Sequence, residues 1–112
     1  MNYEIKTTDL FERELKRLSK KYASMSDDYA ELLQELIKNP KTGNDLGSNF
    51  RKVRMAIASK SKGKRGGARV ITYTLYIDTE NSRIYLLTIY DKDEQANISK
   101  KTILSLKKAN GL

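Results

Sequence analysis

Lys52 and Arg54 stand two residues apart in FRKVRMAI, a spacing that puts both side chains on one face of an extended segment. Arg69 opens the apolar run RVITYTLYI, and Tyr90 and Lys92 close the run IYLLTIYDK. Between the first two runs lies SKSKGKRGGAR, in which Lys60, Lys62, Lys64 and Arg65 are interleaved with three glycines. The chain contains neither His nor Cys. Thiolate nucleophiles, disulfides, imidazole acid/base pairs, Ser-His-Asp triads and Cys/His zinc sites are therefore excluded together. Chemistry must run on Lys, Arg, Tyr, Ser, Thr, Asp or Glu, and no metal or cofactor is expected.

The cations are concentrated. Arg51, Lys52, Arg54, Lys60, Lys62, Lys64, Arg65 and Arg69 lie between Leu46 and Ile77, a stretch without Asp or Glu, and the remaining segments are balanced. The net charge of +8 thus resides in one central block. A mixed-sign run reads most simply as a solvated face, but a single-sign block repels itself and is better matched to a polyanion. Gly63, Gly66 and Gly67 suit a hairpin loop. They also let backbone N–H groups approach phosphate, which favours an anion-contacting loop. The P-loop pattern G-x-x-x-x-G-K-[ST] is absent.

Scission of RNA by its own 2′-OH needs a base for that hydroxyl, cations for the crowded phosphate and an acid for the leaving oxygen. A crowded Lys, pushed below its ordinary value of about 10.4, can serve as base. Arg stays charged and stabilises the phosphorane, and Tyr can donate or relay a proton. Tyr73, Tyr76, Tyr85 and Tyr90 can stack on bases, although core positions are the simpler reading for all but Tyr90. From residues alone, a binding module and a nuclease are both open.

The elements that would position these groups are legible in the periodicity. At 112 residues the chain suits one domain, 1–112, with a single modest core. Tyr3 and Ile5 alternate with Glu4 and Lys6 as a short strand. Asp9 and Glu12 resemble a capping box, and Phe11, Leu15, Leu18 and Tyr22 give a helix over 10–22. Ser26 caps a second helix with Asp27 and Asp28 in its first turn, ended by Asn39-Pro40. After a loop over 40–49, strands follow at 50–57, 69–77 and 84–90. Ser99 then caps a short C-terminal helix with Lys107 and Lys108 at its carbonyl end. The order β-α-α-β-β-β-α describes an α+β domain, helices packed on one face of an antiparallel sheet. No apolar run reaches membrane-spanning length and the first residues lack a signal-peptide core, so a soluble, cytoplasmic protein is expected.

If the last three strands form a meander, Ile57, Arg69 and Tyr90 come to one rim together with the glycine-rich loop. Lys52 and Arg54 point to one face, and Lys92 reaches the same rim. A concave basic patch is the expected result.

The run FRKVRMAIASKSKGKRGGARVITY, followed by IYLLTIYDKDE and a short helix, resembles the RelE/HigB-type toxins of bacterial toxin–antitoxin modules. The resemblance covers nearly the whole chain and is most specific in KGKRGGARVI and LLTIYDKDE. It implies the fold outlined above, metal-independent cleavage of mRNA in the ribosomal decoding site, and a cognate antitoxin that covers the basic surface. Carried across, the family's basic pair matches Lys52 and Arg54, its strand-opening arginine matches Arg69, and the cation after the last strand matches Lys92. A tyrosine used by some members near the final helix corresponds to Ile98, with Tyr90 as its candidate replacement. Arg51, Lys60, Lys62, Lys64 and Arg65 are the expected contacts to RNA and ribosome. ParE-type toxins, which act on DNA gyrase, share the fold and supply an alternative, as does a non-catalytic RNA-binding module.

Overall fold

The segments Ala68–Tyr76 and Asn81–Asp91 are rich in apolar and β-branched residues on both faces, and these two strands form the centre of the sheet. The computed structural model describes residues 2–112. In chain order the elements are β1 (Asn2–Thr7), α1 (Asp9–Lys21), α2 (Met25–Lys38), β2 (Asn44–Gly47), β3 (Phe50–Met55), β4 (Ala68–Tyr76), β5 (Asn81–Asp91) and α3 (Lys100–Ala109). A single 3₁₀ turn, Ala58–Lys60, follows β3. No helix among the described residues is long and apolar enough to cross a membrane.

The α+β class and the order of elements match the sequence-based expectation, with three corrections. First, the sheet is mixed: its order is β1-β5-β4-β3-β2, and β1 runs parallel to β5. A parallel pair needs a long crossover, and everything from α1 to β4 supplies it. Second, residues 44–47, expected as loop, form an edge strand on β3 with an irregularity between Asp45 and Gly47. Four residues with no alternation carry little strand signal; pairing to β3 makes the strand. Third, the helices are divided between the two faces. The helical hairpin of α1 and α2 covers Val53, Met55, Val70, Ile84, Leu86 and Ile89 with Phe11, Leu18, Met25, Leu32 and Leu36. α3 lies on the opposite face, where Ile103 packs with Phe50, Ile71, Tyr73 and Leu87. Leu86 and Ile89 share the hairpin face although three residues apart, because β5 carries an extra residue, Leu87, opposite the Ile71/Thr72 step of β4. This β-bulge restores the alternation on either side of it.

The caps also differ by a residue or two. Thr8, not Asp9, caps α1, its hydroxyl accepting from Phe11 N–H at 3.1 Å and donating to the Leu87 carbonyl at 2.8 Å. α2 begins at Met25 behind Ser24, not behind the expected cap Ser26, and Asp28 lies in its first turn as expected but out of solvent. It is buried, accepting from the Ser24 hydroxyl at 2.7 Å and the Ala58 N–H at 3.2 Å. Asp28 thus ties the chain leaving β3 to the hairpin. Ser99 does cap α3, accepting from Thr102 N–H at 3.1 Å.

Gly67 shows why the loop returns through glycine. A Cβ there would lie 2.1 Å from the Met55 carbonyl oxygen, so only glycine lets the start of β4 pass this close to the end of β3.

Candidate functional site

The register of the three central strands gathers the expected residues. Arg54 on β3 faces Arg69 on β4, and Arg69 faces Tyr90 on β5. The three form one row across the sheet, one step from its rim, on the face that carries α3. Lys52 begins the next row, opposite Ile71 and Thr88. Lys92 follows β5 directly, and its N–H continues the ladder to the Gly67 carbonyl at 3.0 Å.

The members of the row differ in exposure. Arg54 is exposed, and its side chain has no hydrogen-bond or ionic partner among the described residues. Arg69 is 3% exposed and pairs with no carboxylate. Its guanidinium donates to the carbonyls of Lys64 and Ala68 at 3.0 Å and of Arg65 at 2.8 Å, which draws the glycine-rich loop back onto the sheet. Burial, followed by the positive charge of Arg54, pushes the Arg69 guanidinium below its ordinary range. A buried cation with a like charge as its neighbour is a site prepared for an anion.

Tyr90 is 5% exposed, and among the described residues its hydroxyl is the buried side-chain polar atom that lacks a hydrogen bond. Burial raises its pKa while Arg69 opposes the shift, so at neutral pH the hydroxyl carries its proton. Tyr90 is therefore not presented for base stacking. It lines a groove of about 260 Å³ running along the open part of β5 between Leu10, Glu14 and Arg17 of α1 and Thr102 and Leu106 of α3. Ile98, at the position of the family tyrosine, is half-buried against the α3-side core.

Lys52 donates to the Asn97 side chain at 2.7 Å and has no acidic partner among the described residues. It shares a hollow of about 230 Å³ with Leu46, Ile98, Lys100 and Ile103. Lys92 is exposed, and its side chain is unpartnered among the described residues.

The residues expected to dock RNA are arranged differently. The Lys60 side chain is buried, its ammonium bonded to Asp91 at 2.5 Å, Asp93 at 2.9 Å and the Gly66 carbonyl at 3.1 Å. Burial alone would lower its pKa, but the two carboxylates outweigh burial and raise it, so Lys60 is a fixed cation and not a base. Asp91, fully buried, also accepts from the Tyr22 hydroxyl at 2.5 Å and the Asp93 N–H at 2.9 Å. Burial works against its charge, yet the Lys60 and Tyr22 hydrogen bonds hold its carboxyl far below the usual range. Lys62 reaches Asp93 at 3.4 Å and Lys64 reaches Glu35 at 2.7 Å, both as exposed pairs. Arg51 points to the hairpin side, donating to the carbonyls of Lys41 and Gly43 beside Asp45. Only Arg65 of this set is exposed without a side-chain partner among the described residues.

Charge in space therefore differs from charge along the chain. Asp45, Asp91, Asp93 and Glu35, all from outside the basic block, neutralise Arg51, Lys60, Lys62 and Lys64. Lys52, Arg54, Arg65, Arg69 and Lys92 keep their charge unanswered among the described residues. Sequence reasoning misses the acidic hub at Asp91; DKDE immediately after an apolar strand is its only visible sign.

Such an arrangement can hold a phosphodiester against Arg54 and Arg69, with a protonated hydroxyl at Tyr90 and ammonium groups at Lys52 and Lys92. A family model described as the RelE toxin of the RelE/RelB toxin–antitoxin system matches residues 5–111, and the chain belongs to that toxin family.

Proposed function

We propose that this toxin is an endoribonuclease that cuts mRNA on the ribosome, blocks translation and is held inactive by a cognate antitoxin covering the α3 face of the sheet. The observation that carries the reading is the Arg54–Arg69–Tyr90 row, two cations without carboxylate partners beside a buried hydroxyl without a hydrogen bond. Arg54 and Arg69 bind the scissile phosphate and stabilise the phosphorane, a contribution of roughly 10²–10³-fold per donor by analogy with oxyanion sites. Either Lys52 or Lys92, in its free-amine form, is the candidate to take the 2′-OH proton, and Tyr90 donates to the leaving oxygen. Arg65, with the exposed Lys62 and Lys64, contacts ribosomal RNA from the loop; Lys60 and Arg51 hold the framework.

The test is primer extension on a translated mRNA in a purified translation system, run beside a gyrase supercoiling assay. Cuts that appear with the wild type and vanish with Arg54→Ala support the reading. Gyrase inhibition without cuts would instead assign the toxin to DNA topology, and binding without either effect would leave a non-catalytic module.

A further inference from the structure

α3 and the residues leading into it, from Gln95 to Leu112, contain no acidic residue. The helix carries Lys100, Lys101, Lys107 and Lys108. None forms an ion pair among the described residues: Lys100 donates to the Leu46 carbonyl at 3.3 Å, and the Lys107 ammonium lies 5.1 Å from the centre of the Tyr73 ring. Lys101 and Lys108 are exposed, their ammonium groups without partners among the described residues. The other two helices carry acids that answer nearby cations, with Glu14 on Arg17 and Glu35 on Lys64. Four cations and no acid on a ten-residue helix thus set α3 apart from α1 and α2, which mix both signs.

Their spacing is regular. Lys100 and Lys107, like Lys101 and Lys108, are seven residues apart, two turns and about 10 Å along the axis. This gives two parallel stripes with one cation at each end. The inner stripe is fixed by a carbonyl and an aromatic ring, the outer one is free. The Lys100 end opens onto the hollow it shares with Lys52, so the helix continues the basic surface outward from the Arg54–Arg69–Tyr90 row.

We infer that α3 is a second RNA-contact surface, separate from the cleavage row, which takes the phosphate backbone of double-helical RNA. The inference rests on the reading of this chain as an RNA-directed toxin and adds a partner surface to it. Lysine is a point charge that meets a phosphate from many directions, whereas base-edge reading relies on the planar fork of arginine. A helix with four lysines and no arginine therefore grips backbone without selecting sequence. Leu104, 46% exposed, interrupts the stripe with one side chain and gives no apolar patch for a protein groove. The α3 lysines set how firmly the toxin sits on structured RNA while the row acts on the single strand.

The experiment measures binding of the full chain to a short blunt-ended RNA duplex by fluorescence anisotropy over a salt series. The variants are Lys100→Gln/Lys101→Gln/Lys107→Gln/Lys108→Gln, the same four positions changed to Arg, and Lys16→Gln/Lys20→Gln, two exposed cations of α1. Gln keeps helix propensity; if the fourfold variant fails to fold by circular dichroism, Lys101→Gln/Lys108→Gln replaces it. Duplex affinity is expected to fall about ten-fold or more in the Gln variant, with a salt slope lower by about 0.9 for each phosphate that is no longer neutralised. The Arg variant and Lys16→Gln/Lys20→Gln are expected to stay within two-fold of wild type. Unchanged duplex binding in the Gln variant overturns the inference, as does an equal loss of affinity in Lys16→Gln/Lys20→Gln. A polyglutamate peptide is the control: if the Gln variant fails to bind only that ligand, the face takes an acidic protein and the inference is wrong. Because the duplex assay needs no cleavage, a toxin that proves not to cut mRNA would refute the proposed activity without deciding this measurement.

Discussion

Arg69 and Tyr90 are register partners across β4 and β5, a buried cation with no carboxylate beside a buried hydroxyl with no hydrogen bond. The hydroxyl costs stability while it is unsatisfied, and the guanidinium, though bonded to three carbonyls, costs stability as a buried charge without a counterion. Their adjacency places both costs at one point of the sheet, where a phosphate could satisfy both.

Tyr90→Phe separates stability from function. Removing an unsatisfied buried hydroxyl is expected to leave the fold as stable or to gain up to about 1–3 kcal/mol. mRNA cleavage is expected to fall by about 10-fold or more. Urea denaturation and primer extension on the same preparation decide it; full activity would exclude the hydroxyl from the chemistry.

The two arginines are expected to part company when each is changed to Ala. Arg54 is exposed and unpartnered among the described residues, so Arg54→Ala should stay within about 0.5 kcal/mol of wild-type stability while losing roughly 10²–10³-fold in cleavage. Arg69→Ala should lose activity and also lower Tm, because the loop carbonyls of Lys64 and Arg65 and the Ala68 carbonyl at the start of β4 lose their donor. Equal melting temperatures for the two variants would contradict the anchoring role of Arg69.

Asp91 governs acid stability. Its folded pKa is depressed, so it contributes stability that is present above the unfolded aspartate value of about 3.9 and is lost as pH falls below it toward the folded pKa. Lys60 has the opposite sign: its raised pKa contributes stability below its ordinary value that is lost at alkaline pH. Asp91→Asn is expected to cost about 3–5 kcal/mol, since it leaves the Lys60 ammonium buried without its main partner. The variant should also show a shallower acid-limb decline than the wild type between about pH 5 and 2 by urea denaturation, the remainder coming from the lowered carboxylates of Asp93, Glu94, Asp78 and Glu4. A full acid limb in the variant would place the titration elsewhere.

Salt dependence distinguishes free cations from paired ones. Lys52→Gln/Arg54→Gln is expected to lower the salt slope of single-stranded RNA binding by about 1.4, at roughly 0.7 per phosphate. Lys62→Gln/Lys64→Gln, whose ammonium groups already meet Asp93 and Glu35, should change it by less than half as much. The reverse ranking would return the loop to the centre of binding.

Much of this architecture is legible in the residues themselves. Alternation puts Lys52 and Arg54 on one face, and the density of β-branched residues marks β4 and β5 as central, which with a meander brings Arg69 and Tyr90 together. The rest depends on contacts distant in sequence. β2 exists because β3 offers it an edge. The parallel pairing of β1 cannot be inferred from six residues at one end of the chain. Lys60 reads as a surface cation because its partner, Asp91, is 31 positions away in sequence, and only the folded rim brings them together. Asp28 escapes the pattern for a related reason: helix-start rules see a first-turn acid, but burial turns it into an anchor for Ala58.

The extra residue in β5 has a further consequence. Leu87 acts as a phase shifter: residues before it and after it obey opposite parity, which is why Ile89 enters the hairpin core and Tyr90 stays beside Arg69. Deleting that one leucine would turn the end of the strand inside out, carrying the tyrosine into oil and the isoleucine into the row of Arg54 and Arg69. Sequence drift in this toxin is thus free to change what the strand is made of more readily than how long it is.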